Sequence, residues 1–428
     1  MFTAARVSAA RTAAGKRSFA TAVTEAANGV KVAAVEKASS APTASLTVLV
    51  KAGSRFESKE GVANALKNFA FKSTAKRTAL GTVRESDLYG GVLSSSLGRE
   101  HLALSAEFLK GDEAYFLDVL ASFITSAKFT RHEFSEYVAP VIESDTAAAA
   151  ASPAIQAIEL AHNIAFRQGL GASLYPPSHP NFGLSDIQDY AHSVFTQGNI
   201  AVIGTGIEQA KLAELVSKAF AQASSAAGPT SPASKYFGGE NRVAGNGPQT
   251  AFIGFGTTGA PSAEAAALAA YLSPAPSVKW SQGVSPIAAA LPQGSSVQSV
   301  YLPYSDASLV GVLVQGHSAA AVKEAGKVVV DAVKKAAAGA SAEEVATAVA
   351  KAKFAAASAA DARAGIVDAI GAKIFSGSDA SIASALAAFD AVDASAFSKA
   401  ASSLIASKPT YVAVGDLGAL PYADELGL

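Results

Sequence analysis

Apolar and polar residues alternate through "GVKVAAVEK", 29–37, and "ASLTVLVKAGS", 44–54, the period of two that marks strands. The period then changes. In "GVANALKNFAFKST", Gly61 to Thr74, the residues Val62, Ala65, Leu66, Phe69 and Ala70 fall at helical spacing and give one apolar face. Asn64, Lys67 and Asn68 share the opposite face, close enough to converge on one point. Further on, "GGVLSSSLGREHLALSAEFLKG" predicts two strands about a turn at Gly98–Arg99, and "DEAYFLDVLASFITSA" a helix capped by Asp112. A long helical stretch, 131–166, carries Pro140 and Pro153, expected to kink or divide it. "SDIQDYAHSVF" and "IEQAKLAELVSKAFAQA" predict helices on either side of a buried strand in "NIAVIGTG".

The composition shifts between Ser224 and Gln249, where Gly, Ser and Pro dominate and an interdomain linker is expected. Beyond it the order returns: strand in "TAFIGFGTTG", helix in "SAEAAALAAYL", a strand pair over 296–316, a helix from Ser318, one long helix over 341–375, then helix, turn and buried strand to Gly415. Two stretches of the first half match the second as strand-turn-helix and as helix-turn-strand-glycine, both at an offset of roughly 205 to 211 residues, and a shared offset is what a duplication produces. Strands and helices do not alternate strictly, so the expected fold class is α+β, two similar domains related by internal duplication, over 20–223 and 250–428.

Residues 1–19 stand apart. They carry Arg6, Arg11, Lys16 and Arg17, many Ser, Thr and Ala, and no acidic residue precedes Glu25, the profile of a mitochondrial transit peptide. "RSFA" places the expected cut between Phe19 and Ala20. Losing these cations takes the formal net charge from −1 to −5. A mildly acidic chain is not a nucleic-acid binder. No apolar run has the length of a membrane span. With no cysteine the chain has neither disulfides nor thiolate metal sites.

Chemistry is sparse. Zinc hydrolysis needs two imidazoles one helical turn apart, and among His101, His132, His162, His179, His192 and His317 no two lie three or four residues apart. Most are expected to be solvated surface residues. "GFGTTG", Gly254 to Gly259, fits a dinucleotide fingerprint letter for letter but lacks the acidic residue downstream, and is read as a turn. There is no Walker lysine and no G-x-S-x-G with a triad. Glu143 and Asp145 are expected on a solvated helix face.

Taken together, "VKAGSRFES", "GVANALKNFAFKST" and "LYPPSHPNFGLSDIQDYAHSVFTQGNIAVIGTG" resemble the M16 metallopeptidase family, whose mitochondrial members include processing peptidase subunits and the core proteins of the cytochrome bc1 complex. The likeness covers nearly the whole chain after the leader. It implies two M16-type α+β domains, and a zinc helix in which H-x-x-E-H of active members falls on Asn64, Lys67 and Asn68, with Glu143 as the implied counterpart of the acidic ligand. No zinc, no catalytic residue and no cofactor is therefore expected. A lysine facing the metal pocket opposes a dication and cannot act as a base. "YLSPAPSVKWSQGVSPIAAAL", 271–291, lacks the long glycine-rich loop of presequence-handling α-type processing subunits, and with "ASKYFGGENR" and "LPYADEL" it is similar to the structural core proteins. The resemblance then implies a peripheral, non-catalytic subunit on the matrix side of the mitochondrial inner membrane. Its implied partners are core protein 1 and the other cytochrome bc1 subunits, in a dimeric complex; an inactive α-type partner of a processing peptidase is the alternative.

Overall fold

The computed structural model describes residues 20–26, 29–36, 42–276, 285–375 and 381–428. The expected leader, with Phe19, lies outside the described residues, as does 277–284 within the segment compared with the core proteins. The first half runs β1 (Ala20–Glu25), β2 (Lys31–Glu36), β3 (Thr43–Val50), α1 (Val62–Asn68), α2 (Ala79–Leu88), β4 (Val92–Leu97), β5 (Leu102–Leu109), α3 (Glu113–Ser126), α4 (Arg131–Glu133), α5 (Ala139–Ala151), α6 (Pro153–Phe166), α7 (Leu184–Val194), β6 (Ile200–Thr205) and α8 (Gln209–Ala219). The second runs β7 (Gly239–Ala244), β8 (Gln249–Thr258), α9 (Ala263–Tyr271), α10 (Pro286–Ala290), β9 (Ser295–Pro303), β10 (Ala307–Gly316), α11 (Ala319–Gly339), α12 (Ala342–Ala359), α13 (Arg363–Ile374), α14 (Ile382–Ala388), α15 (Ala394–Ile405) and β11 (Thr410–Gly415).

Among the described residues the strands form two sheets, ordered β1-β2-β6-β3-β5-β4 and β7-β11-β8-β10-β9. Setting aside β1, an added outer strand, the two orders coincide when β2, β6, β3, β5 and β4 are matched with β7, β11, β8, β10 and β9. In each sheet the first of these pairs is parallel and the rest antiparallel. The chain is thus two similar α+β units, as the shared offset predicts. Part of the Gly/Ser/Pro-rich segment is itself structural: 239–244 forms β7, where polar "ENRV" runs beside β11 with its side chains only half covered.

The central strands are buried on both faces, so β6, β10 and β11 read as nearly continuous apolar runs and even Ser45 and Thr47, the polar positions of alternating β3, are buried. One face of the first sheet packs Val32, Leu46, Val48 and Leu104 against α1, α3, α7 and α8. Its other face, with Val35, Leu49 and Ile203, is covered by Ile366, Ile370 and Ile374 of α13, a helix of the second half. The second sheet is treated reciprocally. Ile253, Val312 and Tyr411 pack against α9, α11 and α15, while Phe252, Leu313 and Val412 are covered by Ala157, Ala161, Ala165 and Phe166 of α6, a helix of the first half. The helices α6 and α13 occupy equivalent places in the duplication, so the halves exchange one helix each.

This exchange explains a difference from the sequence pattern. The single helix expected over 341–375 is two, α12 and α13, with the chain turning at 360–362. The helical periodicity continues through the break, so the sequence does not mark it. The corner is tight: a Cβ on Gly365 would lie 2.1 Å from the Ala359 carbonyl oxygen. The helix α4, a π-type turn over Phe134–Val138 and α5 follow one another without a break, and Pro140 stands just past that turn, so it does not divide the helix. Pro153 opens α6 after Ser152 leaves the helical region. Asp112 precedes α3 but makes no cap bond; Glu113 Oε1 instead accepts from Gly111 N at 3.1 Å. "GFGTTG" is not a turn over most of its length. Gly254 to Thr258 belong to β8, and only Gly259, at φ 104°, turns. The strand glycines make room for rings: a Cβ on Gly256 would lie 2.3 Å from the Tyr236 ring, and one on Gly254 2.6 Å from that of Phe252.

Candidate functional site

The helix α1 is fixed first by its apolar face. Val62, Ala65, Leu66 and Phe69 are buried in the core of the first half, with the Phe69 ring edge-on to Phe129 at 5.2 Å. Its start is held by Glu57, whose Oε2 accepts from Gly61 N at 3.1 Å and Ala63 N at 3.2 Å. Burial pushes the Glu57 carboxyl up to about 7, against the two N–H donors that favour its ionised form.

Two residues of the polar face of α1, Asn64 and Lys67, line a cavity of about 290 Å³ together with Ser95, Ser96, Asp145 and Tyr175 among others, and Asn68 is not in its lining. Asn64 Nδ2 donates to the Leu174 carbonyl at 3.0 Å, and Asn68 Nδ2 donates to Asn64 Oδ1 at 2.9 Å. Lys67 Nζ meets Asp145 Oδ2 at 3.3 Å. The carboxylate that α5 turns toward α1 is therefore Asp145, not Glu143, which is exposed and lines no wall of this cavity. The reading of Asp145 as a merely solvated acid is corrected by its ion pair.

A zinc ion, which the fold family implies, does not fit these residues. A tetrahedral site needs imidazole, thiolate or carboxylate donors, and here the amides are engaged with each other and with a backbone carbonyl. Among the described residues lining the cavity the one carboxylate, Asp145, is met by an ammonium. Among the described residues no group of three or more His, Cys, Asp or Glu could hold a metal ion.

The histidines differ from expectation in two places. His162 is buried; its Nδ1 lies 2.7 Å from the Ile158 carbonyl and therefore donates, so Nε2 accepts from Tyr304 OH at 2.7 Å. Burial holds its pKa well below the ordinary histidine range. His101 stacks on Phe375 at 5.2 Å, and burial lowers it to about 4. Both lie where the halves meet, which no local pattern shows. The same holds for Asp145: 78 residues separate it from Lys67, and no helical spacing joins them.

The fold defines the class: a duplicated α+β scaffold whose two sheets share one strand order. Residues 32–178 match the family described as Insulinase (Peptidase family M16). The chain is 45% identical to cytochrome b-c1 complex subunit 2, mitochondrial, of Cryptococcus neoformans, over 95% of this chain and 94% of that one. It is 40% identical to the protein of the same description from Neurospora crassa, over 94% and 90%, and 38% identical to that from Yarrowia lipolytica, over 97% and 98%. The chain belongs to the M16 family, in the group of the cytochrome b-c1 subunit 2 proteins.

Proposed function

We propose that the chain is a non-catalytic core subunit of the mitochondrial cytochrome b-c1 complex, which supports assembly and stability of that complex from the matrix side of the inner membrane. The observation that carries this reading is full-length similarity to cytochrome b-c1 complex subunit 2, 45% identity over 95% of the chain. The non-catalytic part rests on Asn64, Lys67 and Asn68, which stand where the resemblance places two metal imidazoles and the general base, with Lys67 neutralising Asp145. The partners on this reading are core protein 1 and the remaining subunits. Among the described residues no helix is long and apolar enough to cross a membrane, and attachment through those partners accords with that. The same reading assigns 1–19 as a leader cut between Phe19 and Ala20 and a first domain over 20–223; the second domain, expected over 250–428, takes in β7 (Gly239–Ala244) as well, which shortens the linker to 224–238.

Native gel electrophoresis of mitochondria tests it: the chain should migrate with b- and c-type cytochromes, and its depletion should lower assembled reductase while turnover per assembled cytochrome stays constant. Purification instead with a soluble activity against presequence peptides would favour a processing-peptidase partner. Turnover that collapses with assembly intact would restore a catalytic role.

A further inference from the structure

The G-S-R-x-E turn, Gly53 to Glu57, takes no part in the cavity chemistry, yet it is one of the most heavily bonded segments of the chain. The Arg55 side chain is 5% exposed. Its Nη1 donates to Glu100 Oε1 at 2.8 Å and to Asp306 Oδ1 at 2.7 Å. Its Nη2 donates to Asp306 Oδ2 at 2.7 Å and to the Pro232 carbonyl at 3.2 Å. Asp306 lies in the turn between β9 and β10, in the second half. Its neighbours enter the same socket. Ser305 N donates to Glu100 Oε2 at 2.9 Å, and Tyr304 OH reaches His162 of α6. Asp306 also accepts from Ser234 N at 2.8 Å and Ser234 Oγ at 3.0 Å. Three consecutive residues of one half are thus read by charged or hydrogen-bonding groups of the other. Both terminal nitrogens of the guanidinium are engaged while buried Nε has no hydrogen-bond partner, and loss of one carboxylate from a buried ion pair strands a charge.

The other end of the turn holds α1, because Glu57, two residues past Arg55, accepts from Gly61 N and Ala63 N. Between these ends the backbone has little freedom. Gly53 N donates to the Glu100 carbonyl at 3.2 Å, and Arg55 N to the Arg99 carbonyl at 2.8 Å. The Gly53 carbonyl accepts from the buried Tyr190 OH at 3.0 Å. A Cβ on Gly53 would lie 2.2 Å from the Arg99 carbonyl oxygen, so the turn sits hard against the β4–β5 connection.

We propose that the Gly53–Glu57 turn is a coupling element, which ties the docking of the second half through its 304–306 turn to the start of α1. The cavity wall carrying Asn64 and Lys67 then keeps its order only while the halves are docked. The short, doubly anchored link supplies the physical reason: displacing Asp306 removes two of the bonds on the Arg55 guanidinium, leaves it to Glu100 and the Pro232 carbonyl, and loosens the segment that places the Glu57 carboxylate. Amide hydrogen exchange on the full-length chain tests this with Asp306→Asn, which keeps the side-chain size and removes the charge. Exchange should rise about tenfold or more at both 304–306 and the first amides of α1, with α3 and α15 unchanged. Glu57→Ala should loosen the first turn of α1 while leaving 304–306 protected. Unchanged protection of α1 in Asp306→Asn overturns the coupling, and so does an equal rise in every element, which is general destabilisation. If Asp306→Asn fails to fold, Ser305→Ala removes one bond of the same socket and is judged by the same criteria.

Discussion

Lys67 Nζ stands 3.3 Å from Asp145 Oδ2, so a single ammonium joins α1 to α5 across the cavity where the M16 resemblance places a metal dication. A cation still links the two helices, but it is covalently part of one of them. It brings no Lewis acidity and has no lone pair while protonated.

Metal binding follows from that substitution. The wild-type chain is expected to hold no stoichiometric zinc. Asn64→His, Lys67→Glu and Asn68→His together supply two imidazoles and leave Asp145 free to ligate, so weak zinc binding should return. Adding Asp145→Asn should abolish it, whereas Glu143→Gln should not. Metal analysis after dialysis checks each chain, and near one zinc per wild-type chain would refute the non-metal reading. Peptidase activity is not expected even in the triple variant, because the surrounding groups that orient ligands are not built for a metal.

The Lys67–Asp145 pair should matter little to stability. Its side chains are 21% and 36% exposed, and pairs of that kind contribute about 0–1 kcal/mol. Lys67→Met should shift the urea midpoint only slightly and leave the helix in place, since the apolar stripe of α1 is untouched.

Glu57 gives a pH dependence of definite sign. Its folded-state value of about 7 lies above the ordinary 4.5, so the folded chain binds its proton more tightly than the unfolded one. Its contribution to stability therefore falls as pH rises from 4.5 through 7 and is lowest above that. Glu57→Gln keeps an acceptor for Gly61 N and Ala63 N without the buried charge. It should stabilise the chain at pH 8 by about 1–3 kcal/mol and leave it nearly unchanged at pH 5. Thermal midpoints of both chains at the two pH values decide it.

The helix exchange makes a prediction about fragments. Ile370 belongs to the second half by sequence but packs on the first sheet. Ile370→Ala should cost about 2–5 kcal/mol. Residues 20–223 produced alone should lack a cover over Val35, Leu49 and Ile203 and should aggregate or bind a hydrophobic dye. Coexpression with 224–428 should restore a soluble pair that co-purifies.

Gly256 tests the reading of "GFGTTG" as strand. Gly256→Val would drive methyl groups into the Tyr236 ring and should destabilise by about 1–3 kcal/mol. A substitution at Gly259, where the backbone is left-handed but nothing lies within 4 Å of a built Cβ, should cost only backbone strain. Denaturation of the two variants separates these cases.

Much of the architecture was legible along the chain because it depends on neighbours in sequence. The apolar face of α1, the hairpin about Gly98–Arg99, the buried strands before Gly206 and Asp416, and the repeat at a common offset all follow from periodicity and turn residues. That Asn64, Lys67 and Asn68 share one face follows from helical geometry alone. What tertiary structure decided concerns groups brought together from far apart. The periodicity of 341–375 is satisfied by one long helix or by two, and only the uncovered face of the first sheet selects a break that sends α13 across. The acid paired with Lys67 depends on how α5 is rotated after its π-type turn, which places Asp145 inward and Glu143 outward. The burial of Arg55 depends on the 304–306 turn, about 250 residues later in the chain, which no local pattern brings to it. Sequence pattern reports which face of an element is apolar; the partner that covers it is chosen by packing in three dimensions.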